Sequence, residues 1–325
     1  MRWPCACWIC SDGRRLLVMP SPVLAPALNP ALNPALNPAL SPITAGLWRL
    51  HEWQLDTPAL VRWIEQALDL GISSFDHADI YGGYTVEALF GAALATAPAL
   101  RQRLQIVTKC GIRLVHPNRP AHTVKAYDTS RAHVLASVEE SLRALRTDRI
   151  DLLLIHRPDL LMDPDELADT FRLLLAAGKV LHFGVSNHTP GQLAMLRKRH
   201  PLATNQIEFS PLQMRALADG TLEQCVDLGL RPMAWSPLAG GRLFDGSDAQ
   251  ATRVWGVLQQ LAAQYGVSVP TVAYAWILRH PARPIPVTGT RRLDGLRDAV
   301  AALDLRLSSA EWYRVWQASI GHEVP

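Results

Sequence analysis

Between Ile43 and the C terminus, short apolar stretches alternate eight times with amphipathic ones, and this alternation limits what the chain can fold into. Alternating strand and helix signals predict βα units, whose strands pair in parallel within one sheet. Eight such units are typical of a (β/α)₈ barrel, which folds as a single domain. We therefore predict an α/β protein with a (β/α)₈ (TIM) barrel over residues 43–325 and an extra C-terminal helix.

The predicted strands are apolar runs at residues 43–50, 73–76, 104–109, 150–156, 180–186, 203–209, 231–235 and 285–288. Apolar spacing and Pro or Gly punctuation predict helices at residues 57–71, 85–95, 130–145, 163–178, from 189 onward, and at 219–228, 251–265, 270–280, 293–303 and 308–319. Thr57 is expected to cap the first helix, ahead of Pro58. A polar loop at residues 116–128 is long enough to cover a site.

Residues 1–42 have a different character from the rest of the chain. The sequence Ala-Leu-Asn-Pro occurs at residues 27–30, 31–34 and 35–38 and returns as Ala-Leu-Ser-Pro at 39–42. Proline at every fourth position removes hydrogen-bond donors and disfavours helix, so we predict a disordered, polyproline-like leader. Two explanations stay open: a weak export signal after Arg14-Arg15, which Pro20 cuts short, and a start codon assigned too far upstream.

Composition excludes several classes of partner. The net charge of +3 is too small to favour nucleic acid or an anionic membrane, and no apolar run is long enough to span a bilayer. Cys5, Cys7 and Cys10 lack the second ligand pair that a metal site needs. We therefore expect a cytoplasmic protein without metal, nucleic acid or membrane partners, as a monomer or small homo-oligomer.

Four polar side chains fall at or just beyond the C-terminal ends of predicted strands, the edge where barrel active sites form. They are Asp76, Tyr81, Lys109 and His156. Each alone has an ordinary structural explanation, such as a helix cap, a packed ring or a solvated strand end. Their joint placement on the second, third and fourth strands favours a site.

These four residues suit the reduction of a carbonyl group. Hydride addition to C=O leaves an alkoxide, which a positioned acid must protonate. A tyrosine titrates near pH 10, and the Lys109 ammonium is expected to lower the pKa of Tyr81. Asp76 is expected to hold Lys109 charged, and His156 to hydrogen-bond the carbonyl oxygen.

Six motifs across residues 43–325 resemble those of the aldo-keto reductase superfamily, in the family's order, with the nearest likeness to bacterial members. They are Phe75-Asp76-His77-Ala78-Asp79-Ile80-Tyr81-Gly82, Val107-Thr108-Lys109, Leu154-Ile155-His156, Gly184-Val185-Ser186-Asn187, Asn205-Gln206 and Trp235-Ser236-Pro237-Leu238. The resemblance implies an NADPH-dependent reductase of aldehydes or ketones, with Tyr81 as the acid and Asp76, Lys109 and His156 completing a tetrad.

The same resemblance implies a cofactor site along the barrel edge. Ser186, Asn187 and Gln206 are expected to hold the nicotinamide carboxamide, and Trp235 to stack on its ring. Three further groups are expected to contact the cofactor: Gly46 and Trp48 on the first strand, Ser236 and Leu238 after the seventh, and the loop Gly240-Gly241-Arg242 over the pyrophosphate.

The segment expected to hold the adenosine end departs from the family pattern. Gly289 stands where some members have Lys, and Gly295 where an Arg is often found. Arg291, Arg292 and Arg297 lie close by as substitutes for those contacts to the 2′-phosphate, and Gly289 and Thr290 are also expected to contact the cofactor. We therefore expect NADPH (NADP⁺) in preference to NADH.

The predicted substrate is a small neutral aldehyde or ketone, because the expected pocket is apolar and aromatic. Trp48, His51, Trp53, Cys110 and the 116–128 loop are placed to form its walls, and surface or core roles stay open for each of them. Two other functions stay open: a non-catalytic, NADPH-binding redox sensor or accessory subunit, and a metal-dependent hydrolase that uses Asp76, His77, Asp79 and His156. Retention of all four tetrad residues argues against the first, and the lack of an H-x-H pair on strand one against the second.

Overall fold

In the computed structural model, which describes residues 38–324, the eight predicted strands close into one parallel barrel. The strands in chain order are β1 (Thr44–Gly46), β2 (Ser74–Asp76), β3 (Gln105–Cys110), β4 (Ile112–Arg113), β5 (Ala126–Tyr127), β6 (Leu152–Ile155), β7 (Phe183–Ser186), β8 (Asn205–Glu208), β9 (Met233–Trp235) and β10 (Ile285–Thr288). The barrel order is β1-β10-β9-β8-β7-β6-β3-β2, and β4 and β5 form a separate two-stranded sheet. The predicted (β/α)₈ barrel is confirmed.

Ten α-helices accompany these strands in the described part of the chain. They are α1 (Thr57–Asp69), α2 (Val86–Thr96), α3 (Arg131–Leu145), α4 (Pro164–Ala176), α5 (Pro190–Arg197), α6 (Thr221–Asp227), α7 (Ala249–Tyr265), α8 (Val269–Leu278), α9 (Leu293–Ala301) and α10 (Ser309–Ile320). The predicted C-terminal helix is α10, which packs on α8 through stacked Trp312 and Trp276 rings whose centroids lie 5.0 Å apart. None of these helices is long and apolar enough to cross a membrane.

Alternation along the strands separates two apolar layers. On β3, for example, Ile106 joins the outer core beneath the helices, whereas Val107 joins a second cluster. The members of this inner cluster are Val107, Leu152, Leu154, Ala203, Met233, Ile285 and Val287. Burial on both faces explains why the strands appear in the sequence as nearly continuous apolar runs.

The predicted leader lies outside the described residues up to residue 37. Its last residues are in contact with the barrel: Leu40 packs against the inner cluster, and Ser41 Oγ accepts hydrogen bonds from the backbone N–H groups of Ser73 and Ser74. The residues just before Ile43 therefore pack against the start of β2.

Two local predictions are wrong. The N-cap of α1 is Asp56, whose carboxylate accepts a hydrogen bond from Ala59 N at 2.7 Å, and Thr57 is already helical. The segment predicted as a loop at residues 116–128 contains β5, which pairs antiparallel with β4. Each of these strands is only two residues long, too short for a periodic pattern to reveal.

Candidate active site

Strand pairing places Asp76 and Lys109 side by side at the C-terminal edge of the barrel. β2 pairs with β3, and both residues lie on the inward phase of their strands, opposite to Phe75 and Ile106. Lys109 Nζ donates to Asp76 Oδ2 at 2.7 Å, to the carbonyl oxygen of His77 at 2.7 Å and to Tyr81 Oη at 2.9 Å. The side chain of Lys109 is only 1% exposed, and all three ammonium protons have partners.

Tyr81 reaches Lys109 because the chain turns sharply after β2. Its backbone N–H bonds to Ala78 O, and Gly82 and Gly83 follow with φ of 57° and 64°, in the left-handed region that favours glycine. A Cβ on Gly83 would clash with the ring of His116, so the turn packs closely against the loop after β4.

The protonation of this pair is set by burial and by mutual contact. Burial raises the pKa of Tyr81 above its ordinary value, and the Lys109 ammonium opposes that rise. Burial acts to lower the pKa of Lys109, but Asp76 and Tyr81 outweigh it and the net direction is upward. Lys109 therefore acts on the Tyr81 pKa in the predicted direction, but burial exceeds its contribution and the net pKa is raised. At neutral pH the pair is a charged lysine and a protonated phenol.

His156 lies one residue beyond β6, where its backbone N–H donates to Cys110 O at 2.9 Å. Its ring meets the ring of Tyr81 edge to face, with 5.9 Å between the centroids. Burial, followed by the charges of Lys109 and Arg157, holds the pKa of His156 well below 6.5, so the imidazole is neutral. Its Nδ1 is buried with no hydrogen-bond partner among residues 38–324.

The residues predicted to hold the carboxamide form one hydrogen-bonded group with the residues above. Asn187 Nδ2 donates to Ser186 Oγ at 2.8 Å, and Ser186 Oγ donates to Gln206 O at 3.0 Å. Gln206 Nε2 donates to Asp76 Oδ1 at 2.8 Å. Trp235 Nε1 donates to Asn187 Oδ1 at 3.2 Å, and the Trp235 residue is partly exposed.

The backbone after β7 and β9 has features suited to a ligand. Asn187, Ser236 and Ala239 have φ of 58°, 51° and 52°, conformations that cost energy outside glycine and cluster at functional sites. Gly240 and Gly241 also have positive φ, and a Cβ on either would meet nothing within 4 Å. The loop after Leu238 is therefore open backbone, which a phosphate group can approach closely.

Of the predicted basic contacts, Arg291 and Arg292 form no ion pair within residues 38–324, and the guanidinium of Arg292 has no hydrogen bond there either. Arg242 forms an ion pair with Asp248 and a hydrogen bond to Gln250. Arg291 Nη1 donates to Trp53 O at 3.1 Å. Arg292 is exposed beside Gly289 and Thr290, which are themselves exposed and partly exposed, and it has no carboxylate within ion-pair distance in the described residues.

Two of the candidate wall residues lie in the outer core. Trp53 is 5% exposed and packs edge to face on Trp63, so it belongs to the outer core. Cys110 follows the inward Lys109 and therefore faces outward, where it is buried beside Ser137 of α3. Trp48 is 56% exposed in the turn that follows β1.

The four residues of the metal-binding alternative do not lie together. His77 is fully buried with its ring against Phe90 at 4.5 Å, and Asp79 accepts a hydrogen bond from Ser137 Oγ at 2.8 Å. Both lie away from Asp76 and His156, on the side of the helices. Within residues 38–324 no three His, Cys, Asp or Glu side chains form a group that could hold a metal ion.

Sequence reasoning missed Arg157. Its Nη1 donates to His156 O at 2.8 Å, and its guanidinium lies 5.9 Å from the Trp235 ring centroid. The only signal in the sequence was its position next to His156. Arginines of any role occur beside histidines, so this position does not indicate a function.

Comparisons with known proteins show which family this chain resembles. The model of the aldo/keto reductase family matches residues 42–320. Oxidoreductase YdhF of Escherichia coli (strain K12) is 49% identical over 284 residues, covering 86% of this chain and 94% of that protein. The 6-dehydroglucose reductase of Agrobacterium fabrum is 43% identical over 285 residues, covering 87% and 95%.

A solved structure adds a comparison at the level of the fold. The glycerol dehydrogenase AKR11B4 from Gluconobacter oxydans aligns with a TM-score of 0.75 and 27% identity, over 87% of this chain and 92% of that one. The family match spans nearly all of the barrel. The Escherichia coli and Agrobacterium fabrum proteins each exceed 40% identity to this chain over almost their whole lengths. The chain therefore belongs to the aldo/keto reductase family and is an oxidoreductase.

Proposed function

We propose that this protein reduces an aldehyde or ketone to the alcohol with NADPH, and that Tyr81 protonates the carbonyl oxygen. The observation that most supports this is the contact of Lys109 Nζ with both Tyr81 Oη and Asp76 Oδ2, at 2.9 and 2.7 Å. A buried ammonium bonded to a protonated phenol makes the phenol a stronger acid than burial alone would leave it.

In this proposal the side chains divide the proton transfer among them. The phenolic proton of Tyr81 moves to the carbonyl oxygen, and the Lys109 ammonium stabilises the phenolate that remains. Asp76 keeps Lys109 charged. The neutral imidazole of His156 donates a hydrogen bond to the same carbonyl oxygen and orients the substrate. General acid catalysis of this kind contributes about 10²–10⁴-fold to a rate.

The residues at the barrel edge fit a nicotinamide cofactor, which supplies the hydride when bound. Ser186, Asn187 and Gln206 would hold its carboxamide, and the partly exposed face of Trp235 would lie against its ring. The open backbone at Gly240 and Gly241 would accept the pyrophosphate. The support is the hydrogen-bonded group around Asn187 and the left-handed backbone nearby.

NADPH is proposed over NADH on the strength of Arg292. Its exposed guanidinium, free of ion pairs in the described part of the chain, suits a 2′-phosphate. We expect Arg292→Met to raise the KM for NADPH about tenfold or more and to leave the KM for NADH nearly unchanged. Arg172→Met, which removes an exposed arginine from α4, is the matched control. Equal effects of Arg292→Met on both cofactors would contradict the assignment.

The proposed substrate class is a small, neutral and polar carbonyl compound. Relatives named 6-dehydroglucose reductase and glycerol dehydrogenase act, by those names, on compounds rich in hydroxyl groups. The polar side chains around Tyr81 support the same class here, because His51 lies against Gly82 and His116 against Gly83.

Turnover tests this proposal directly. The consumption of NADPH and the formation of alcohol are measured for polyhydroxylated aldehydes, simple aldehydes, ketones and sugar phosphates. We expect one alcohol per NADPH, with the highest kcat/KM among the neutral hydroxylated aldehydes. Tight NADPH binding without turnover on any carbonyl would instead favour a sensor or accessory subunit.

A further inference from the structure

Asp76 receives a second hydrogen bond from the opposite side of the barrel. Gln206 lies on β8, which is separated from β2 by β1, β10 and β9 in one direction and by β3, β6 and β7 in the other. Gln206 Nε2 donates to Asp76 Oδ1 at 2.8 Å, while Lys109 Nζ donates to Oδ2 at 2.7 Å. The Gln206 bond therefore crosses the barrel interior, and each carboxylate oxygen has its own donor.

Burial makes this second bond important. Asp76 is 3% exposed and Gln206 is 2% exposed, and a buried carboxylate is costly unless both oxygens are hydrogen-bonded. The other neighbour of Gln206 Nε2 is Met233 Sδ at 3.7 Å, a weak acceptor. The Gln206 amide therefore makes its strong bond to Asp76.

Gln206 is also joined to the group predicted to hold the carboxamide. Its backbone oxygen accepts hydrogen bonds from Ser186 Oγ at 3.0 Å and from Asn187 N at 2.9 Å. One residue thus lies between the group around Asn187 and the chain of contacts from Asp76 through Lys109 to Tyr81. No other residue in the described ranges bonds to both Ser186 and Asp76.

We propose that Gln206 is a positioning residue that links occupancy of the carboxamide pocket to the state of Asp76, Lys109 and Tyr81. The proposal rests on the proposed function. A ligand amide that engages Gln206 changes its bond to Asp76, and so changes the negative charge that Lys109 and Tyr81 experience. Because such coupling is reciprocal, protonation of the Tyr81–Lys109 pair changes the affinity for the cofactor.

Other titratable or charged groups surround this chain of contacts, and none of them is replaced in the test. These groups lie on the turn after β2, on α2, after β6 and β7, on β8 and on the neighbouring loops. They are His77, Asp79, Glu87, His156, Arg157, His188, Glu208, His51 and His116. Because no variant below alters them, a change in pH dependence reports on Gln206.

The first variant is Gln206→Met, which keeps the volume and removes the amide. Without the Gln206 bond, the charge on Asp76 is less dispersed, and that charge raises the pKa of Tyr81. We expect the alkaline limb of kcat, at saturating NADPH, to move up by about half to one pH unit. The Kd for NADPH, measured by quenching of tryptophan fluorescence, should depend on pH in the wild type and much less in the variant.

The second variant, Gln206→Glu, gives a distinct signature. It places a second carboxyl group beside Asp76, and two such groups share one proton. Where the new carboxyl group is protonated, its O–H restores the donor to Asp76. We therefore expect kcat of this variant to recover toward the wild-type value as the pH falls, whereas kcat of Gln206→Met does not recover.

The control is Asn205→Leu, which removes a buried amide from the same strand. Asn205 Nδ2 donates to His188 O at 2.8 Å and has no bond to Asp76. This variant should lower the melting temperature without moving the alkaline limb of kcat or the pH dependence of Kd. Identical behaviour of Asn205→Leu and Gln206→Met would overturn the proposal, because it would reduce Gln206 to a structural role.

The remaining outcomes separate this proposal from the proposed function. A raised Kd in Gln206→Met, with pH dependence like that of the wild type, overturns the coupling and leaves carbonyl reduction intact. NADPH binding without turnover in the wild type overturns the function, while the pH dependence of Kd still decides the coupling. A wild type that does not bind NADPH overturns both.

Discussion

Lys109 is the residue on which the candidate site depends most, because one ammonium group joins β3 to Asp76, to His77 O and to Tyr81. Its three bonds also explain how a charge can stay buried at the end of a barrel strand. Within residues 38–324, the neighbouring acids Asp79 and Glu87 have no such cation. They are buried toward α2 and α3, where they bond to Ser137 and Thr108 at 2.8 and 2.5 Å.

These acids make stability depend on pH. Burial foremost raises the pKa of Asp79 from 3.8 to about 8, and that of Glu87 to about 7. Between the ordinary pKa of each carboxyl group and its raised pKa in the folded chain, the folded chain holds protons that the unfolded chain releases. The contribution to stability is therefore full at acidic pH and falls as the pH rises from about 4 to about 8. We expect Asp79→Asn to weaken this fall, since the amide stays neutral at every pH.

The measurement is the melting temperature of both proteins from about pH 5 to about pH 9. The melting temperature of Asp79→Asn, relative to that of the wild type, should increase as the pH rises. Asp148→Asn, at a side chain that is 85% exposed, is the control and should follow the wild-type curve. Parallel curves for Asp79→Asn and the wild type would show that Asp79 is ionised in the folded protein.

At the scale of elements, the sequence predicted those helix and strand ends that depend on neighbouring residues alone. β10 has the predicted bounds, and α5 begins after Thr189 with a full capping box, as the Thr-Pro signal indicates. The β4–β5 pair and the bond from Gln206 to Asp76 could not be predicted in this way. Both depend on where distant residues meet in space, and neither leaves a periodic pattern in the sequence.

The N-cap of α1 was predicted one residue away from its position in the structure. Asp56 and Thr57 are adjacent and both are good caps, but only the Asp56 carboxylate accepts from Ala59 N. We expect Asp56→Ala to cost about 1 kcal/mol of stability and Thr57→Ala much less. Thermal unfolding of the two variants side by side measures this difference. A larger loss in Thr57→Ala would restore Thr57 as the cap.

At the scale of the whole molecule, barrel closure assembles the site. The sequence predicted that β2, β3 and β6 would end at one edge, and in the closed barrel they are neighbours in the order β2-β3-β6. The strand order brings residues separated by 130 positions, Asp76 and Gln206, into hydrogen-bond contact. Residue types at strand ends were therefore enough to suggest the four side chains, but not the direction of the Tyr81 pKa, which depends on burial in the finished fold.

Tyr81 as the proton donor is tested most directly by the reduction of one carbonyl substrate by the wild type and by Tyr81→Phe, with NADPH binding measured in parallel. We expect kcat to fall by about 10²-fold or more in the variant, because the proton donor is lost, while the Kd for NADPH stays within about twofold. Turnover by Tyr81→Phe at the wild-type rate would contradict the assignment of Tyr81 as the acid.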